Sequence, residues 1–275
     1  MDLDKSTLMK ELSKILEVHP ELEQTLYMEF NRRFKVLKLL VKYVEPPARV
    51  VEAGASPFIL SAMLTLAGFN VIALDVEPTK YLDVAEMFRV KVLKCDLERD
   101  SILLPDEFCD AVVMSEVIEH LNPYYVSHAL SELNRILKQH GYLVLTTPNI
   151  ASLFRRLKLL LGLNPVYRYH VREYTLGEIL ELLKSHGFEV VEAGYDDVND
   201  LSFLNARSQS ELRKLPYMGS YMDMLRYVVH SPTLNNILRA IAYPIVKLKK
   251  SLRMLIVVVA RKVERTSPSR IKRWG

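Results

Sequence analysis

Apolar residues three and four positions apart mark the first long element. Leu22, Leu26, Phe30, Phe34, Leu37, Val41 and Val44 fall on one stripe, which predicts a helix from Pro20 to about Val44. Pro20 suits its first turn, and a shorter helix capped by Ser6 or Thr7 precedes it and stops at His19-Pro20. Glu29, Asn31, Arg32 and Arg33 lie elsewhere around the long helix, which Glu45-Pro46-Pro47 ends. The period then changes. Arg49–Ala53 reads as a buried strand, residues 54–57 as a tight turn, 58–67 as a helix stopped by Gly68, and 70–74 as a second strand. Further on come a short helix (80–86), strands at 90–93 and 110–114, a helix at 124–138 and a strand at 142–147. A leucine-rich basic helix (151–163), a helix at Leu176–Ser185 and a strand at 188–193 follow, and a last strand occupies 254–260. Residues 196–250 are too long for a plain loop, and with Pro216, Pro232 and Pro244 they read as several short helices. One of these is amphipathic through Leu234, Ile237, Leu238, Ile241, Ile245 and Leu248, and it ends in Lys247, Lys249 and Lys250.

Strands alternating with helices predict an α/β, Rossmann-like doubly wound sheet. The expected organisation is an N-terminal helical lid (1–45), a nucleotide-binding core (46–197), a helical insertion on the acceptor side (198–250) and a final strand with a basic tail (251–275). A right-handed crossover sets the Gly54 turn beside Asp75 at the carboxyl edge of the sheet. A carboxylate there can accept both hydroxyls of a ribose. The turn itself, Gly54-Ala55-Ser56-Pro57-Phe58, has a single glycine where a dinucleotide site needs three, and Pro57 lacks an N–H for a phosphate. A phosphate-free ribose ligand, S-adenosylmethionine, therefore suits it better than a nicotinamide cofactor, with Glu52 just before the turn. Asp96, 21 residues beyond Asp75, ends the third strand, where it can bond an adenine amino group with Leu97 against the ring. The competing readings are a Rossmann-like unit without ligand and a solvated loop acid at Asp96.

Charge changes the picture of partners rather than of fold. The net charge is +4, but residues 201–275 carry 15 Lys+Arg against 3 Asp+Glu, and residues 1–200 carry 22 against 30. Such a basic end suits phosphates or an anionic surface. The two cysteines, Cys95 and Cys109, have no metal-site spacing and read as core residues of a reducing, cytoplasmic compartment. The charged opening residues predict no signal peptide, and no apolar run is long enough for a transmembrane segment.

Together these segments resemble the class I S-adenosylmethionine-dependent methyltransferases, nearest to the branch with the ubiquinone-biosynthesis O-methyltransferases. The carriers are VVEAGASPF, ALDVEP, CDLE, DAVVMSEVIEHL, LNRILKQHGYLVLTTPN and HVREYTLGEILELLKSHGFEV, covering roughly residues 30–200. LRMLIVVVARKVE is similar to the family's terminal strand. The resemblance implies a seven-stranded sheet with its last strand antiparallel. It also implies Glu52, Gly54 and Ser56 around the methionine end, Asp75 on the ribose, Val76 with Asp96 and Leu97 around the adenine, and Ser115 and Glu116 over the cofactor. The chain departs from the pattern at the family's second turn glycine, replaced by Ser56 or Pro57.

Methyl transfer from a sulfonium mainly requires alignment. For a hydroxyl acceptor a base adds about 10²–10⁴-fold, and His120, then His170 and Tyr174, are the candidates; each is equally readable as structural. Glu116, Glu119, His120 and His170 could instead hold a divalent ion, a spacing similar to that of metal-using ubiquinone and small-RNA methyltransferases. The expected acceptor is a small or lipid-linked molecule methylated at oxygen, with peripheral membrane contact through the basic end. The amphipathic helix reads either as core-facing with a solvated basic face or as membrane-seeking. RNA, gripped by the basic end with Tyr217, Tyr221 and Tyr227, is the alternative acceptor, and a non-catalytic scaffold the further one.

Overall fold

The computed structural model describes residues 4–265. The helices in chain order are α1 (Lys5–Leu12), α2 (Ile15–Val18), α3 (Glu23–Tyr43), α4 (Ile59–Leu66), α5 (Leu82–Met87) and α6 (Val126–Ile136). They continue as α7 (Leu153–Leu160), α8 (Leu176–Ser185), α9 (Val198–Ser202), α10 (Gln209–Leu212), α11 (Tyr221–His230) and α12 (Leu234–Leu248). The strands are β1 (Arg49–Ala53), β2 (Asn70–Asp75), β3 (Lys91–Lys94), β4 (Cys109–Ser115), β5 (Leu137–Pro148), β6 (Phe188–Asp196) and β7 (Leu255–Lys262). They form one sheet in the order β3-β2-β1-β4-β5-β7-β6. β7 runs antiparallel to both β5 and β6, and the other pairs are parallel. The expected doubly wound, seven-stranded sheet with an antiparallel last strand is the fold found.

Successive residues of a strand point to opposite faces, so each strand feeds two cores. Val50, Ala111, Val113, Val144, Val257 and Val259 pack against α1, α3 and α4. Val51, Ala53, Val112, Met114, Leu143, Leu145 and Val258 pack against α6 and α8. Cys95 and Cys109 are buried and unpaired, as the sequence suggested. Residues 198–248 build a third, smaller core from Leu201, Leu204, Leu215, Met218, Met224, Tyr227, Ala240 and Tyr243. The basic tail beyond Arg265 lies outside the described residues.

Some elements differ from expectation. Asp4, not Ser6 or Thr7, caps α1, by accepting the Thr7 N–H at 3.1 Å. β5 begins at Leu137, because the chain pairs with Cys109 before the irregularity at His140-Gly141 lets Tyr142 face Ala111. On α12 the buried residues are Asn236, Ala240, Tyr243 and Val246, so the leucine–isoleucine stripe faces outward instead of into the core.

Candidate active site at the carboxyl edge of the sheet

The order β3-β2-β1-β4-β5 reverses direction between β1 and β4, and the crevice outside their carboxyl ends is where such sheets bind ligands. The Gly54 turn after β1 and the Glu116-Val117 corner after β4 face each other there. Gly54 has φ +72, and a Cβ on it would lie 2.5 Å from Val117 Cγ2. Only glycine fits both the left-handed backbone and the close approach.

The Ser56 N–H donates to Asp75 Oδ2 at 2.8 Å, and the Glu77 N–H donates to Asp75 Oδ1 at 3.0 Å. Asp75 thus fixes the turn to the tip of β2. A carboxylate offers about four acceptor positions, so two remain for a ligand. The Cys95 N–H donates to the Asp75 carbonyl at 2.9 Å, which brings the tip of β3, and Asp96 after it, alongside. Asp96 accepts the Glu98 N–H at 2.9 Å. Val76 is exposed, whereas Leu97 is buried in the core under α6. Glu52 is buried on the helix-covered side of β1, where the Ser61 hydroxyl of α4 donates to it. Burial pushes its carboxyl up to about 8, against the pull of the Ser61 hydrogen bond and of Arg33.

A polar chain runs from β4 to α3. Thr146 Oγ1 lies 2.9 Å from Ser115 Oγ and donates to Glu116 Oε1 at 3.1 Å, so the Ser115 hydroxyl is the donor to Thr146. Arg32 donates to Glu116 at 3.3 Å and to Glu29 at 2.9 Å, and Arg33 donates to the same Glu29 oxygen at 2.6 Å. Glu116 adopts φ 58, an uncommon conformation for a residue with a Cβ that is concentrated at functional sites. Burial raises its carboxyl and Arg32 opposes the rise. Arg32, Arg33 and Glu29 were set aside at the sequence level as lying off the buried stripe. Arg33 is in fact buried, and Glu29 with cations three and four positions on, in a helix buried almost all round, was the signal.

Glu119, His120 and His170 form a third group, with one ligand-capable atom from each lying within 4.8 Å of the others. His120 Nδ1 lies 3.1 Å from the Tyr169 carbonyl, which can only accept, so Nδ1 carries the proton and Nε2 is the free nitrogen. Burial, with His170 beside it, lowers the His120 pKa and keeps the ring neutral. His170 Nδ1 lies 2.8 Å from Glu173, a buried carboxylate also bonded by Arg155 and by the Tyr167 N–H. Thr147 donates to Glu119 Oε2 at 2.9 Å, and Glu119 Oε1 is buried without a partner. Burial and the neighbouring Glu116 raise the Glu119 carboxyl well above its ordinary value. Tyr174 is buried in the core. Of the tyrosines weighed for stacking on RNA, Tyr227 is buried and Tyr221 stacks on Tyr243, whereas Tyr217 is exposed.

The sheet order, the antiparallel β7 and a crevice floored by Gly54 and Asp75 define a class I methyltransferase fold. Residues 27–193, more than half of the chain, match the family model described as a methyltransferase domain, and the chain belongs to that family. A Mycobacterium tuberculosis protein named "probable S-adenosylmethionine-dependent methyltransferase" is 31% identical over 141 residues, 50% of this chain and 48% of that one. The chain therefore spans about half the length of the curated relatives it matches. Among solved structures, an S-adenosylmethionine-dependent methyltransferase from Archaeoglobus fulgidus aligns with TM-score 0.56 at 21% identity, over 86% of this chain and 99% of that one. One from Thermotoga maritima aligns with TM-score 0.55 at 20% identity, over 92% and 100%. At these identities the likeness is one of fold.

Proposed function

We propose that the chain transfers a methyl group from S-adenosylmethionine to oxygen of a small or lipid-linked acceptor. The observation that carries this is Asp75, pinned by the Ser56 and Glu77 N–H groups beside the single-glycine turn with half of its acceptor capacity left over. Two hydroxyls of a ribose match that capacity. Gly54, Ser56 and Glu52 then border the methionine end, Val76, Asp96 and Leu97 the adenine, and Ser115 and Glu116 the sulfonium.

The acceptor oxygen attacks the methyl carbon, the carbon–sulfur bond breaks, and sulfur keeps the electron pair as S-adenosylhomocysteine forms. The hydroxyl proton passes to the free Nε2 of His120. Its neutrality, maintained by burial and by His170, keeps that nitrogen available as a base near neutral pH. The insertion forms the acceptor side, and a cleft of about 510 Å³ between it and α3, lined by Gln24, Met28, Leu204, Asn205 and Arg207, supports that assignment. Gln24, Met28 and Arg32 are successive residues of one i, i+4 row on α3, and Arg32 at the end of that row bonds Glu116.

Calorimetric titration with S-adenosylhomocysteine tests this reading. Asp75→Ala is expected to weaken binding by about 100-fold or more, the order of two lost hydrogen bonds to a charged group. Unchanged affinity would sink the assignment.

The unpartnered Glu119 Oε1 supports a second element, a divalent ion held by Glu119, His120 and His170. Both imidazoles engage an acceptor through Nδ1 and leave Nε2 free, and His170 leans on Glu173 as metal-bound histidines lean on carboxylates. Glu116 is committed to Thr146 and Arg32 instead. An ion there would orient an acceptor diol and would take the place of His120 as a free base. Titrating the chelator-treated protein with manganese or zinc should show one site per chain that His170→Ala abolishes. Equal metal uptake by the variant would dismiss the ion.

A further inference from the structure

α7 and α12 expose hydrophobic surface that the fold leaves uncovered. α7 has no buried residue at all, and Leu159, Leu160, Leu161 and Leu163 project from it and its C-terminal turn. On α12, Leu234, Ile237, Leu238, Ile241, Ile245 and Leu248 keep spacings of three and four along one stripe, opposite the buried Ala240, Tyr243 and Val246. Leu160 is 82% exposed and Leu248 is 88% exposed. The two helices adjoin: the Arg239 guanidinium lies 5.3 Å from the Phe154 ring centroid, and Asn149 just before α7 donates to the carbonyls of Ser251 and Arg253 just after α12. Monomeric soluble domains rarely show apolar surface of this extent unless it meets something.

The charge around it says what it meets. Residues 151–168 and 234–253 contain no Asp or Glu, and they supply Arg156, Lys158, Lys247, Lys249 and Lys250. None of these five pairs with a carboxylate among the described residues. Tyr167 and Tyr169, exposed beside α7, are amphipathic rings of the kind that settle at a membrane–water boundary. A second copy would bring two like-charged faces together, whereas an anionic bilayer complements the cations while it covers the leucines.

We propose that α7 and α12 form a docking face for an anionic phospholipid bilayer. The face runs into the site, because the segment that follows α7 carries Tyr169, whose carbonyl accepts from His120, and then His170 itself. Docking therefore turns the acceptor side toward the lipid, and an amphiphilic acceptor reaches His120 from the bilayer. The acceptor's route rests on the methyl-transfer reading above; the lipid binding does not.

Flotation of the full chain with vesicles tests it, using phosphatidylcholine alone and phosphatidylcholine with about one-third phosphatidylglycerol. The bound fraction should rise on the order of tenfold with the anionic lipid and fall again at raised salt. Leu160→Ser, Leu161→Ser, Ile241→Ser and Leu248→Ser combined should abolish flotation, as should Lys247→Glu, Lys249→Glu and Lys250→Glu. Both variants should keep the wild-type melting transition and S-adenosylhomocysteine affinity. Binding that ignores anionic lipid, or that survives either set of changes, overturns the proposal. So does a concentration-dependent dimer that the serine variant loses. If the serine variant fails to fold, the charge variant decides. Loss of S-adenosylhomocysteine binding by the wild type would instead refute the methyl-transfer reading and leave the lipid result standing.

Discussion

Glu52 links the cofactor edge to stability through one proton. The unfolded chain ionises this carboxyl near 4.5, and the folded one holds it to about 8 because burial strips its water. Between those values the native state binds a proton that the unfolded state has lost, so stability falls as pH rises and the loss is complete above about 8. The slope from this group is at most about 1.4 kcal/mol per pH unit. Glu52→Gln keeps an acceptor for Ser61 and removes the proton. Thermal melting at pH 5 and pH 8 should then show a clearly smaller decline in the variant than in the wild type. Equal declines would mean that Glu52 is ionised in the native protein. Asp200, raised to about 7 by burial, shares the direction and is common to both proteins, so the difference isolates Glu52. That Glu52 stands beside the turn was readable from its place in the strand. Its commitment to Ser61 was not, because the rotation of α4 over β1 is a packing outcome.

At the scale of elements, periodicity specified type better than facing. Short continuous apolar runs marked β1, β4 and β7 because each is buried on both sides in the middle of the sheet, and the 3.6 pattern marked α3 and α8. α8 is closed by a capping box in which Thr175 and Glu178 satisfy each other's backbone N–H groups, so its first residue was legible from the sequence. The same apolar period on α12 named a helix correctly and left its face undecided, and the core-facing reading is the one the structure removes. An amphipathic stripe says only that one side avoids water, and core, partner and bilayer all meet that condition. What turns α12 is local. Asn236 on its inner side donates to the carbonyls of Asn205 and Ser231 and accepts the Asn205 N–H, and Tyr243 reaches Asp197. These polar anchors rotate the leucines outward. Likewise α3 carries Arg32 inward to Glu116, a long-range pairing of β4 with α3 that the local pairs of Glu29 with Arg32 and Arg33 hint at but do not specify.

For the whole molecule the question is how the insertion, with its separate core, stays registered on the methyltransferase sheet. Asn31 on α3 is the joint. Its Nδ2 donates to the carbonyls of Leu215 at 2.9 Å and Met218 at 3.3 Å, and its Oδ1 accepts from Lys5 Nζ at 2.7 Å. One side chain, 3% exposed, thus ties α1, α3 and the turn beneath α11. Asn31→Ala would leave two carbonyls and one ammonium with their partner gone, at a cost of about 2–3 kcal/mol. Because the small core of Leu204, Leu215 and Met224 rests on that joint, the loss should fall unevenly. Hydrogen exchange under native conditions should speed up in residues 198–248 while β1, β4 and β5 keep wild-type protection. Equal acceleration throughout would show the insertion and the sheet opening as one unit. In that case the insertion could not reorganise without disturbing the sheet, and the cleft beside Gln24 and Met28 would keep its shape for as long as the sheet stays folded.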